Sequence, residues 1–448
     1  MASNRTNFSL VMAFKMRGAF ALGPNAEAES SAIQPPYSRM AAPPHRVPNR
    51  REPRGRPAEN PHAQEKPMRM LAVAAALSFL ALLPPTQTSA QASTTIGGEK
   101  LVTLHRTPVS KTTPEFTSVT IMPGRGMELL YITANFPGKG EVPVLASPGL
   151  ATAEKMLDQQ DDANGDLSYR LGAAFLVPYP NRIRGKLSAD GKTLTSVWRG
   201  HVLTLPANNV GKLPGAERHA MHGLILKAKA TDIRVLDTPG GEQVSGVIHA
   251  GNFGGHWLSK TDLVITITLA ARAVDASVVA HNVGSEDEPI AIGWHPYFNL
   301  PSGDREQVRV HIPATMVAQV DNYDNVFPTG KLNPVDSSQY NLLAANGVPL
   351  DKHFYDDNWS HLEWKNGAVT VKVIDPAARY GVDIEGLSDR IRTIQMYAPV
   401  DKQFVAIEDQ YNFADPFGKE WGSMDTGMVT LKPGQSSRWE VRLHVFVP

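Results

Sequence analysis

An all-β fold, arranged as a large sandwich, is what the sequence predicts for residues 94–448. Short runs rich in Val, Ile and Thr recur along this stretch with apolar and polar residues alternating, and Gly, Pro or Asn punctuates them. Such runs read as strands, because branched side chains pack well on a pleated surface. No long stretch repeats apolar residues at the i, i+3, i+4, i+7 spacing of an amphipathic helix. With so many half-apolar strands, the natural solution is to pack sheet on sheet and bury one face of each.

Taken in order, the chain begins with residues 1–67, rich in Pro, Arg and Ala and including PPHRVPNRREPRGRP. They follow neither strand nor helix period, so this extension is expected to be disordered or to precede the true start of translation. Residues 68–92 have the build of a secretory signal peptide: Arg69, an apolar run of 13 residues from Leu71 to Leu83, a Pro pair, and small residues ending Ala90-Gln91-Ala92. That run falls short of the roughly 20 residues a membrane span needs, so no stable span is expected. The mature protein would begin near Gln91 or Ser93 and be periplasmic or secreted.

From residue 94 the strand-like runs are SVTIMP, MELLYITANF, SGVIHAGN, DLVITITLAARAV, ASVVAHNV, AVTVKVID and WEVRLHVFV. No fixed-period repeat and no Pro/Gly/Ser linker interrupts them, so residues 94–448 read as one domain. Nothing in the pattern speaks to oligomeric state.

Composition narrows the function. Among 448 residues, Lys plus Arg equals Asp plus Glu at 44 each, which leaves no strong positive field for nucleic acid or an anionic membrane. A neutral small-molecule partner fits better. Cysteine is absent, so disulfides, thiolate metal sites and a cysteine nucleophile cannot be built. Phosphate-loop, zinc-protease and G-x-S-x-G motifs are missing, and the G-x-G at Gly124 and Gly126 precedes a strand rather than a helix. Side chains alone, with no cofactor and no metal, are expected to do the chemistry.

Five segments join polar residues to turn-like surroundings, where a β scaffold usually displays its binding groups. They are PNRIRG at 180–185, MHGL at 221–224, GWHPYFNL at 293–300, LDKHF at 350–354 and VAIEDQ at 405–410. In this order they resemble the aldose 1-epimerase (galactose mutarotase) family, as do GNFGGHWLSKTDLVITITL and the closing MVTLKPGQSSRWEVRL. The resemblance spans roughly residues 115 to 448. It implies a β-supersandwich whose concave face holds one sugar. It also implies Glu408 as catalytic base and His295 as catalytic acid, with His222, Arg182, Asn181 and Asp351 binding substrate.

The residue chemistry agrees. Opening a cyclic hemiacetal removes a proton from the O1 hydroxyl and delivers one to the ring oxygen, so one base and one acid must flank the ring. An ordinary Glu titrates near ~4.3 and a His near ~6.5, so at neutral pH the carboxylate is ready and the imidazole needs a shift. A charged Glu408 would raise the His295 pKa and burial would oppose it.

Plainer readings stand beside these. A lone His is more often structural, and Glu408 within FVAIE is either functional or half of a buried ion pair. Arg182 shares its segment with Arg184, and a structural ion pair is the alternative there. Asp356 and Asp357 follow Asp351 closely, and DKHFYDDNW also reads as a solvated loop. Trp294, Tyr297, Trp257 and Trp421 are candidates for stacking on sugar, and equally for the core. Family members commonly have E-P-Q where this chain has Glu408-Asp409-Gln410, and a second Gly where it has Leu224. Adjacent strand residues face opposite ways, which should turn Asp409 from the site. The competing functions are a non-catalytic carbohydrate-binding protein and a mutarotase for a phosphorylated hexose; the latter would need a cationic pocket, with Arg182 and Arg184 as candidates.

Overall fold

A computed structural model describes residues 94–158, 162–336 and 338–448. The extension at 1–67 and the signal peptide at 68–92 lie outside the described residues. Among the described residues, no helix is long and apolar enough to cross a membrane.

The predicted strands assemble into two large antiparallel sheets. One has nine strands in the order Thr231–Thr238, Gly241–Gly251, Thr261–Ala270, Val274–Asn282, Ser436–Phe446, Tyr380–Gly386, Val369–Asp375, Arg309–His311 and Val348–Pro349. The other has eleven. Its central strands run Tyr355–Leu362, Thr393–Ala398, Phe404–Gln410, Gly293–Asn299, Ala173–Leu176 and Glu128–Phe136. Alternation fixes which face each residue takes: in Thr261–Ala270, Leu263, Ile265, Ile267 and Leu269 are all fully buried.

The two sheets share one apolar core. Trp439 of the first sheet meets Trp294 and Phe175 of the second edge-on, at ring separations of 6.3 and 6.1 Å. Its indole Nε1 donates to the Asp409 carbonyl at 3.1 Å. Large aromatics bury the most apolar area per residue, so this trio helps hold the two layers together.

The same alternation turns every second residue of the eleven-stranded sheet away from that core. In Gly293–Asn299, Trp294 and Phe298 belong to the core cluster, and His295 and Tyr297 point the other way. In Phe404–Gln410, Val405 and Ile407 face the core and Glu408 faces out. The sheet therefore presents a row of polar groups on its far face, carried by strands whose backs are locked into the core.

Candidate active site

Strand register brings distant residues into that row. Glu408 lies opposite Gln395, and Gln395 opposite Asn358, across three neighbouring strands. On the other side, Gly293–Asn299 pairs with Phe404–Gln410 and brings in His295. His295 Nε2 sits 3.3 Å from Glu408 Oε1, with only 5% and 2% of the two side chains exposed.

His222 reaches the cluster from a turn. Its φ of 62° and Asn181's of 63° both lie in the left-handed region. The two residues are tied by an amide-to-carbonyl hydrogen bond of 2.9 Å from His222 to Asn181. Gly223 follows at φ 78°, where a Cβ would come within 2.4 Å of the Val177 carbonyl oxygen, so glycine is required. Leu224, which follows, donates its amide to the Val177 carbonyl at 2.7 Å and keeps the turn. The His222 ring meets His295 edge-on at 5.0 Å, and Tyr169 packs 4.7 Å from His222.

Asn181, Arg182, His222, His295 and Glu408 line one cavity of about 570 Å³. Arg182 donates to Asp356 Oδ2 at 3.0 Å and to Asn181 Oδ1 at 3.0 Å. Asn181 donates in turn to Gln395 Oε1 at 3.0 Å, and Gln395 donates to Asp356 Oδ1 at 2.8 Å. Gln410 donates to Glu408 Oε2 at 2.7 Å. The guanidinium, two carboxylates and three amides thus hold one another in fixed directions, as buried polar groups must.

Asp351 does not join this cluster. Its side chain is exposed at φ 48°, and it borders a separate cavity with Glu306 and His353. The acidic group in the shared cavity is Asp356, because the strand Tyr355–Leu362 begins beyond Asp351 and turns Asp356 toward Arg182. Asp357 is buried behind it, its carboxyl pushed up to about 7 by burial and accepting from Tyr323. Arg184 also lies apart from the cavity, over the Phe327 ring at 4.1 Å and paired with Glu217 at 3.1 Å, so Arg182 and Arg184 do not combine into one cationic pocket. Of the four aromatic candidates, Tyr297 lines the cavity. Trp294, Trp257 and Trp421 are buried, with their indole nitrogens donating to backbone carbonyls.

Gln395, Asp356 and Tyr169 also line the cavity, outside the five segments singled out in the sequence. Gln395 had one visible sign, a polar residue alternating with core-facing Ile394 and Met396. Asp409 turns from the site as alternation requires: it is fully buried, neither carboxylate oxygen has a protein partner, and burial pushes its carboxyl up to about 8.

Burial dominates the electrostatics. It pushes Glu408 well above the usual carboxylate range, and the Asp356 charge adds to that; Gln410 and Arg182 oppose it. It pushes His295 down to about 4, helped by the charge of Arg182, and His222 further below its ordinary value. The expected upward pull of Glu408 on His295 is therefore overridden by desolvation, which penalises both charged forms. Burial thus favours the neutral carboxyl of Glu408 and the neutral imidazole of His295 over the charged pair. No set of three or more His, Asp or Glu side chains among the described residues is arranged to hold a metal.

Comparison with known proteins agrees with this architecture. A search of the curated proteins finds no match. Among solved structures, a galactose mutarotase-like protein from Clostridium acetobutylicum superposes with a TM-score of 0.59 at 19% identity, covering 76% of this chain and 94% of that one. A GalM/aldose epimerase homologue from C. elegans gives 0.57 at 16%, covering 78% and 99%. Galactose 1-epimerase from Lactobacillus acidophilus gives 0.54 at 14%, covering 78% and 99%. At these identities the likeness establishes the fold, a galactose mutarotase-like β-supersandwich. The family model described as aldose 1-epimerase matches residues 147–444, and on that match the chain belongs to the aldose 1-epimerase family.

Proposed function

We propose that the protein interconverts the α and β anomers of a free hexose, with Glu408 as base and His295 as acid. The observation that carries this reading is the 3.3 Å approach of His295 Nε2 to Glu408 Oε1 on the wall of a cavity open to a small solute. O1 and the ring oxygen are both bonded to C1, so two groups this close can address both at once.

The proton count closes. With the closed ring bound, the working form of the pair is carboxylate and imidazolium. Glu408 takes the O1 proton as His295 gives one to the ring oxygen, the C1–O5 bond breaks, and an aldehyde forms at C1. The pair is left as carboxyl and neutral imidazole, the form that burial favours. Rotation about C1–C2 exposes the other aldehyde face. Reclosure returns both protons by the reverse route and yields the other anomer. Sugar hydroxyls donating to Glu408 restore part of the solvation that burial removed, which favours the charged form while substrate is bound.

Arg182 and Asn181 supply donors to the ring hydroxyls, His222 a neutral imidazole, and Asp356, rather than Asp351, the hydroxyl-binding carboxylate. Polarimetry on freshly dissolved α-D-glucose and α-D-galactose tests the reading. Acceleration by the wild type and not by Glu408→Gln is expected; a wild type that leaves both rates unchanged refutes it. Export of the mature chain is part of the same proposal, and N-terminal sequencing of the purified native protein tests it by placing the first residue near Gln91 or Ser93.

A further inference from the structure

The two carboxyl oxygens of Glu408 have different surroundings. Oε1 lies 3.3 Å from His295 Nε2, and Oε2 accepts the Gln410 Nε2–H at 2.7 Å. Gln410 stands two residues on in the strand Phe404–Gln410, so both side chains leave the sheet on one face. It is fully buried, and no step of the proposed reaction passes through it.

A chain of amides sets the direction of that hydrogen bond. Arg182 can only donate, so the Asn181 side-chain oxygen must face it, as it does at 3.0 Å. The Asn181 NH2 is thereby turned to Gln410 Oε1 at 3.4 Å and to Gln395 Oε1 at 3.0 Å. With its oxygen engaged there, Gln410 presents its NH2 to Glu408. The amide also has a prepared seat: Gly293 pairs with Gln410 across the sheet, and a Cβ on it would come within 3.2 Å of Gln410 Cγ and 2.8 Å of Pro180 Cβ.

The carbonyl oxygen of a neutral carboxyl is its stronger acceptor, so an N–H on Oε2 places the acidic hydrogen on Oε1, beside His295. We propose that Gln410 is a positioning residue for proton transfer: by holding Oε2 it reserves Oε1 of Glu408 as the one oxygen that takes and returns the proton. The catalytic consequence rests on the hexose reading of the site. Oε1 takes the O1 proton as the ring opens and gives it back on closure, and Oε2 accepts from Gln410 throughout. Without Gln410 the carboxyl can turn about its last bond and present either oxygen, which loses the alignment that proton transfer needs.

The same N–H favours the charged form of Glu408, because a donor binds a carboxylate more strongly than a carboxyl. The other titratable or charged groups around Glu408 are His295 and Tyr297 of Gly293–Asn299, Tyr397 of Thr393–Ala398, Asp356, Arg182 and His222. Against that background, removing the donor raises the Glu408 carboxyl further.

Gln410→Met keeps the length of the side chain and removes the donor. Infrared difference spectra read the result, with Glu408→Gln identifying the Glu408 carboxyl band. A carbonyl that accepts a hydrogen bond absorbs at lower wavenumber than a free one, so the band should move to higher wavenumber in Gln410→Met. Its titration midpoint should rise by about one pH unit. Anomer exchange on glucose should show kcat lowered about tenfold or more, with KM within about twofold. An unmoved band and midpoint overturn the proposal, as does a loss of kcat with the band in place, which is what a structural defect alone would give. Full kcat despite a moved band overturns the positioning role. The wild-type band needs no folded variant at position 410: a wavenumber typical of a free carbonyl also overturns the proposal. Should the wild type turn over no sugar, the hexose reading fails, and the band still decides whether Gln410 holds Oε2.

Discussion

Arg182 and Asp356, 174 residues apart in the chain, form an ion pair of 3.0 Å with about a tenth of each side chain exposed. The pair sits beside Glu408 and acts on it in opposite senses: the Asp356 charge raises the Glu408 carboxyl and the Arg182 charge lowers it.

Removing one partner unbalances this arrangement. Asp356→Asn is expected to lower kcat/KM for hexose by about 10²-fold, through a lost hydroxyl acceptor and a freed guanidinium. Asp351→Asn, on an exposed residue outside the cavity, should stay within twofold. Steady-state kinetics on the two variants checks the assignment, and a larger effect at Asp351 would reverse it.

The protonation of the pair sets the pH profile. In the proposed mechanism, activity needs one proton shared between Glu408 and His295. On the acid side a second proton binds as pH falls toward the His295 value of about 4. On the alkaline side the single proton is lost only above the usual carboxylate range, because burial raises Glu408. The kcat/KM profile of the free enzyme should be bell-shaped with an acid limb near 4 and its alkaline limb well above the ordinary carboxylate value. An acid limb near 6.5 would contradict the burial argument.

Asp409 gives a stability prediction independent of activity. Its folded value of about 8 lies above the ordinary ~3.9 of an unfolded Asp, so its contribution is fully present below about 4. It is lost as pH rises from there to about 8. Thermal midpoints of the wild type should fall across that window, and those of Asp409→Asn should fall less, by a few degrees. Parallel curves would show that Asp409 has another partner in solution.

Gly223 tests the turn that carries His222. Gly223→Ala forces a Cβ to within 2.4 Å of the Val177 carbonyl oxygen at a left-handed φ. It should cost about 2 kcal/mol or more of stability and raise KM by displacing the imidazole. Differential scanning calorimetry with kinetics reads both effects.

Much of this was legible in the sequence, for a physical reason. Period-two alternation decides which face a strand residue takes, so Glu408-Asp409 already sent Asp409 to the opposite face from Glu408, while the apolar run FVAIE left a functional Glu408 and a buried ion pair both open. The order of the five segments carried the family resemblance. What escaped was set by register and by burial. Asp351 and Asp356 differ by where the strand at Tyr355 begins, which the run DKHFYDDNW does not specify. Gln395 enters the site by lying opposite Glu408, a pairing between strands that no local motif encodes. The low His295 value follows from how fully the cavity wall excludes water, which depends on the assembled sheet.

Nuclear magnetic resonance exchange between the α and β anomers of glucose at neutral pH, on wild type, Glu408→Gln and His295→Asn, tests the central claim most directly. The account predicts exchange accelerated by the wild type and reduced about 10²-fold or more in each folded variant. Near wild-type exchange in either variant would remove that residue from proton transfer and contradict the paired acid-base mechanism.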